Sequence, residues 1–263
     1  MSVAQILLLF TVGAAAGGLG ALAGIGGGIL VVPMLTLYFG LPIHQAIGIS
    51  LLAVIATSSA TSSVQVERHV VDIRLGIILE LMTTSGSAAA AVLAGYLHKQ
   101  SLATMFILFL LFSAFNLVKR AWGARNQALE TEIPPYTIKN WPGGLAASLC
   151  AGAFSGLLGV GGGVIKVPAM YLIMGVPLRV ATATSNFTIG VTAAASAYIY
   201  YGRGDIVIAI AAPLVAGVFS GSILGAKLAP KIRTTYVLWL FIVVAFWMAG
   251  QMLYKLLTGG LAG

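Results

Sequence analysis

Gly24-Ile25-Gly26-Gly27-Gly28-Ile29-Leu30-Val31-Val32-Pro33 returns 135 positions later as Gly159-Val160-Gly161-Gly162-Gly163-Val164-Ile165-Lys166-Val167-Pro168. The same offset relates Gly40 to Gly175, Pro42 to Pro177, Ala46 to Ala181 and Ser50 to Ser185. A chain built twice, with a glycine cluster set in apolar sequence in each copy, follows the plan of secondary transporters whose repeats enclose a substrate.

The composition is that of a membrane protein. Apolar residues make up 59% and charged residues 8%, against about 25% charged in soluble domains. A mean hydropathy of +1.03 does not suit a surface in water. Residues 1–5 carry no Lys or Arg, so no secretory leader is expected. The basic residues behind the net charge of +8 are scattered through loops, which points to an anionic membrane leaflet and away from nucleic acid. Cys150 lies in an apolar run and reads as a buried core residue.

Apolar segments fall at 3–22, 25–39, 46–66, 73–97 and 102–122, then at 143–158, 160–174, 180–201, 206–228 and 236–257. Residues 1–122 therefore form a first transmembrane repeat, 123–141 a cytoplasmic connecting loop and 142–263 a second repeat. Five segments is an odd number, so the second repeat enters the membrane inverted. With the loop inside, Arg68, Arg74, Lys119, Arg120, Arg125, Lys139, Arg179, Lys227, Lys231 and Arg233 face the cytoplasm. Lys99, Arg203 and Lys255 face out, a clear positive-inside bias that places both termini outside. Residues 5–39 are short for two comfortable crossings of about 20 residues each; a hairpin whose glycine tip stops inside the membrane is one resolution, and ten full crossings is the other. The expectation is an all-α integral membrane protein of two inverted repeats, about five hydrophobic segments each, with glycine-tipped broken or re-entrant helices.

Backbone that turns inside a membrane must be buried in protein or line a wet cavity. Glycine permits the turn, and the helix that follows presents unpaired N–H groups that favour anions. Gly24, Gly26, Gly27, Gly28, Gly159, Gly161, Gly162 and Gly163 are thus candidate substrate-binding residues. The alternative is that they merely permit close helix packing. Lys166 replaces Val31 of the first copy and is either a counter-charge for an anion or a lysine that snorkels. Ser50, Ser185 and Asn186 can donate hydrogen bonds to a substrate or between helices; Thr188 and Thr192 read as packing. Glu80 lies about 10 Å along its helix. It either couples protons or pairs with a lysine, or sits at a solvated helix end. Asp72 and Asp205 precede their helices in equivalent places and read as N-caps. No nucleophile–base pair or metal-ligand spacing is seen, so neither an enzyme nor a cofactor is expected.

The paired Gly-x-Gly-Gly-Gly strings with Pro33 and Pro168, the run from Gly163 to Met170 and the stretch Ala183-Thr184-Ser185-Asn186-Phe187 resemble the sulfite exporter TauE/SafE family. That resemblance implies transport of a small anion, such as sulfite, a sulfonate or sulfoacetate, across the cytoplasmic (inner) membrane. The repeats and glycine tips add the expectation of alternating access, one half rocking against the other, with export the expected direction. Lipid and a small anionic substrate are the implied partners, and the sequence is compatible with a homo-oligomer. The rival readings are a transporter of a cation or neutral solute using Glu80, and a membrane scaffold that transports nothing.

Overall fold

The computed structural model describes residues 2–23, 26–67, 70–124, 135–229, 232 and 234–258, and every regular element among them is helical. The first five helices are α1 (Val3–Ala23), α2 (Gly28–Tyr38), α3 (Ile43–Glu67), α4 (Ile73–Ala94) and α5 (Lys99–Ala124). After the connecting stretch come α6 (Trp141–Leu158), α7 (Gly163–Pro168), α8 (Leu178–Gly202), α9 (Ile208–Leu228) and α10 (Thr234–Leu257). All ten expected apolar segments are present as helix, and α8 repeats α3 at the offset of 135 residue for residue.

Length separates the helices into two kinds. Seven of those described are long and apolar enough to cross a membrane: α1, α3, α4, α5, α6, α9 and α10. α8 has 25 residues and is also long enough, but Thr184, Ser185, Asn186, Thr188 and Thr192 lower its hydropathy. α2 has 11 residues, about 16 Å of helix against a hydrocarbon core of about 30 Å. Its counterpart Gly163–Ile173 is equally short. Pro168, which has no N–H to donate, ends the regular α geometry there, and residues Ala169–Ile173 continue as π-helix. Each glycine cluster therefore starts a half-length helix, as the re-entrant reading expects.

Small residues fix the packing. α1 lies along α9, and α4 along α6, each pair running parallel. A Cβ on Gly221 would fall inside the carbonyl of Ala14 in α1; one on Gly152 would fall inside that of Thr83 in α4. Such backbone-to-backbone approach is how helices associate where lipid offers no hydrophobic drive. The sequence signal is glycine at every fourth position, Gly217, Gly221 and Gly225 in α9, with Gly152 and Gly156 in α6. At the centre α3 crosses α8 in the opposite direction. Ser58 and Ser62 of α3 donate to the Asn186 carbonyl (2.6 and 3.5 Å), and Ser58 Oγ accepts from Gly190 N at 3.0 Å. Large exposed apolar side chains, such as Phe112 and Phe115 on α5 and Trp239, Val243 and Phe246 on α10, make the lipid-facing surface.

Two expectations are corrected here. Cys150 is exposed, not buried. It sits beside exposed Leu149 on the outer face of α6, and in a bilayer that face is as apolar in sequence as the core. Asp205 caps nothing: its carboxylate is taken by Arg203 Nε at 2.9 Å, and Val207 occupies the cap position of α9 without a side-chain bond. Asp72 does cap α4, accepting from Leu75 N at 3.0 Å.

Candidate functional site

The two glycine tips meet beside the middle of α3 and α8. Gly26 and Gly161 both hold φ of +80°, the left-handed conformation that glycine adopts at no steric cost. Ser50 joins the tips: its hydroxyl is directed at the carbonyls of Gly28 (3.1 Å) and Gly159 (2.8 Å), which belong to different hairpins. Val54 packs into the same junction, within reach of Gly28 and Gly161. Gly27 and Gly162 precede α2 and α7 without any side-chain cap. Gly24 lies outside the described residues.

One turn into α7, Lys166 is completely buried. It does not snorkel. Its ammonium donates to Glu80 Oε2 at 2.6 Å and to Thr188 Oγ1 at 2.8 Å. The other carboxylate oxygen, Oε1, accepts from Thr84 at 3.2 Å and from Thr192 in a short hydrogen bond. Glu80 is paired with a lysine and, at 7% exposed, is not at a solvated helix end. Lys166 is accordingly not a bare cation, because the pair is neutral as a whole. Three elements supply the group: α4 gives Glu80 and Thr84, α7 gives Lys166, and α8 gives Thr188 and Thr192.

Ser185 lies one turn before Thr188 on α8 and Asn186 follows it, 0% and 2% exposed. Ser185 Oγ and Asn186 Nδ2 have no hydrogen-bond partner, although unpaired buried donors cost about 1–3 kcal/mol each. Their first-repeat counterpart, Ser50, is fully engaged. The asymmetry extends further. At the 135-residue offset, Glu80, Lys166 and Thr188 correspond to Val215, Val31 and Ala53, so the charged constellation, with Glu80 from residues 1–122 and the others from 142–263, has no counterpart at the matching positions.

Polar contacts continue along the α4–α8 seam in both directions. The Asp72 N–H donates to Thr184 Oγ1 at 2.9 Å, and Tyr136 donates to Asp72 Oδ2 at 2.8 Å. Burial first, and then this bond and the carboxylate's charge, push the Tyr136 phenol up to about 12. Towards the other end Ser87 and Ser196 share a hydrogen bond, and Arg203 reaches the Ala91 carbonyl. Two surface grooves of about 320 and 340 Å³ lie elsewhere, one apolar between α3 and α9, the other edged by Tyr38, Trp247 and Lys255.

Thr84, Thr188 and Thr192 are the residues that sequence reasoning undervalued. Their signal is position: Thr84 stands one helical turn from Glu80, Thr188 one turn from Ser185, and Thr192 one turn from Thr188.

A model of the sulfite exporter TauE/SafE family matches residues 9–252, nearly the whole chain. The chain belongs to the sulfite exporter TauE/SafE family. It is a multi-pass membrane transporter. This TauE/SafE chain is 29% identical over 268 residues to the probable membrane transporter protein YunE of Bacillus subtilis, covering 95% of this chain and 98% of that one. The probable membrane transporter protein YdhB of the same organism is 24% identical, with 86% and 91% covered. A probable membrane transporter protein of Methanocaldococcus jannaschii is 29% identical, with 86% of both chains covered. No solved structure matches the chain at a significant level.

Proposed function

We propose that this transporter carries a small anion, of the sulfite or sulfonate type, across the cytoplasmic membrane by alternating access. One observation carries the reading: a completely buried ammonium, beside the meeting point of two glycine tips, already holds an oxyanion, the Glu80 carboxylate. Ser185 and Asn186 add unengaged donors one turn away. Ser50 and the glycines Gly26, Gly27, Gly28, Gly159, Gly161, Gly162 and Gly163 shape the backbone around that place. The family description adds sulfite as a substrate type.

The repeat reading belongs to the same proposal: residues 1–122 and 142–263 form two inverted repeats, the loop 123–141 is cytoplasmic and both termini are outside. Antiparallel α3 and α8, corresponding helices of the two copies, support inversion. The moving units, however, are not the two sequence halves. Close packing of α1 on α9 and of α4 on α6 ties each half to the other. The units that fit this packing are α1, α2, α3 and α9 against α4, α6, α7 and α8. They slide along the α3–α8 crossing.

The test is thermal stability of the purified protein with sulfite, methanesulfonate, sulfoacetate, acetate, sodium and potassium. A ligand at a hundredfold excess over its dissociation constant stabilises by about 2.7 kcal/mol. Stabilisation by one anion, followed by its saturable counterflow in proteoliposomes, is the expected result. Stabilisation by a cation alone would overturn the anion reading in favour of a cation site at Glu80.

A further inference from the structure

Glu80 and Lys166 fulfil each other's needs so fully that the pair leaves no vacancy for a substrate. The carboxylate takes three donors, Lys166 Nζ, Thr84 Oγ1 and Thr192 Oγ1. That is the coordination a transported oxyanion would require. We propose that Glu80 is a resident stand-in for the substrate, displaced when it takes up a proton, so that one monovalent oxyanion and one proton cross together. This rests on the anion-transport reading and adds the coupling ion and the substrate charge to it.

The argument is electroneutrality. In the empty site Glu80 is ionised, Lys166 is an ammonium, and the sum is zero. When a proton from water joins the Glu80 carboxylate, its bond to the ammonium weakens and Lys166 stands free, with Thr188 still beside it. A monoanion then restores the sum to zero, accepting from Lys166 Nζ. The unengaged donor Ser185 Oγ stands one turn before Thr188 on α8, and Asn186 Nδ2, also unengaged, belongs to the next residue. Two other states, proton without anion and anion without proton, leave one uncompensated charge in a site where Lys166 is 0% exposed. The two neutral states are the ones that can close and cross, and alternation between them is symport.

No other described charge disturbs this count. On the elements packed against Glu80, the charged or titratable side chains are Arg74 of α4, Cys150 of α6, Lys166 of α7, and Arg179, Tyr198, Tyr200 and Tyr201 of α8. Lys166 alone among them touches Glu80. Arg74, Cys150, Arg179, Tyr198 and Tyr201 are exposed, and Tyr200 is engaged with the Gly156 carbonyl at 3.1 Å. A dianion brings one charge too many and needs a second proton acceptor that the described site lacks.

The experiment uses the full chain in proteoliposomes with a pH-sensitive dye inside, and methanesulfonate as probe because its charge is fixed across the pH range. An inward methanesulfonate gradient should acidify the lumen, one proton per anion, at a rate that does not respond to an imposed membrane potential. Affinity in the wild type should weaken about 100-fold between pH 6 and pH 8, tenfold per unit for one linked proton. Glu80→Gln, fixed as the protonated form, should exchange methanesulfonate with a pH-independent affinity and move no protons. Sulfate, a dianion, should do neither. Methanesulfonate entry without acidification, or with current, overturns the coupling and leaves anion transport standing. Failure of methanesulfonate, sulfite and acetate alike to enter overturns both. The wild-type stoichiometry decides the matter even if Glu80→Gln does not fold.

Discussion

Replacing Lys166 by Met tests the burial argument on stability alone. The substitution keeps an unbranched apolar stem one atom shorter but strands the Glu80 carboxylate with two threonine hydroxyls and no counter-charge. Glu80 is 7% exposed, so water cannot take over the role of the ammonium. Breaking a buried pair from one side costs about 3–5 kcal/mol, mostly through the orphaned charge. Glu80→Gln orphans the ammonium and should cost a similar amount. The double variant has no charge to strand: methionine packs apolar, glutamine still accepts from Thr84 and Thr192, and the cost should fall to about 1 kcal/mol. The two effects are then non-additive by more than about 3 kcal/mol. At about 2–4 °C per kcal/mol for a chain of this size, each single variant melts roughly 6–20 °C below wild type and the double recovers most of it. Unfolding in detergent, followed by fluorescence of the four tryptophans, gives the cycle directly. Single variants that lose less than about 1 kcal/mol each and add simply in the double would refute the claim that this pair is sealed from solvent.

Ser50→Ala removes the donor shared by the Gly28 and Gly159 carbonyls and should cost about 1 kcal/mol, measured in the same unfolding assay. Gly152→Ala puts a methyl within 2.7 Å of the Thr83 carbonyl carbon and forces α4 from α6. It should cost about 1–3 kcal/mol, whereas Gly250→Ala, with nothing within 4 Å, should be neutral in that assay. Tyr136 is held neutral in the fold, from an ordinary 10.0 to about 12. Its contribution is therefore complete below pH 10 and is lost as the pH rises through 12. Melting curves from pH 9 to 12 should show this loss in the wild type and not in Tyr136→Phe.

Most of the helix order was legible because glycine, proline and charge punctuate each apolar run. The short first segments, 5–39 and their copy, pointed to half-length helices because two crossings want about 40 residues, although loop charges are the same for ten full crossings. The ion pair was harder. Glu80 and Lys166 are 86 positions apart, and no periodicity joins them. What marks them is solitude: one acid and one base inside apolar helices. Cys150 failed for the opposite reason, because lipid and core demand the same apolar neighbours and sequence cannot separate an outward face from an inward one. Asp205 failed because Arg203, two residues away, outcompetes the helix N-terminus for its carboxylate.

Parallel packing of α1 on α9 sets the order of events at the ribosome. Roughly 185 residues separate Ala23 from Ile208, so the first helix waits for its partner while the rest is made. At about 5–20 residues per second that wait lasts about 10–40 s. Throughout it the glycine face of α1 has no backbone to lie against, and an insertase, or a transient neighbour, must shelter it. The converse also follows. Two polypeptides cut within the connecting stretch each lack a helix the other owns, and synthesis of both in one cell supplies to each what it cannot finish alone.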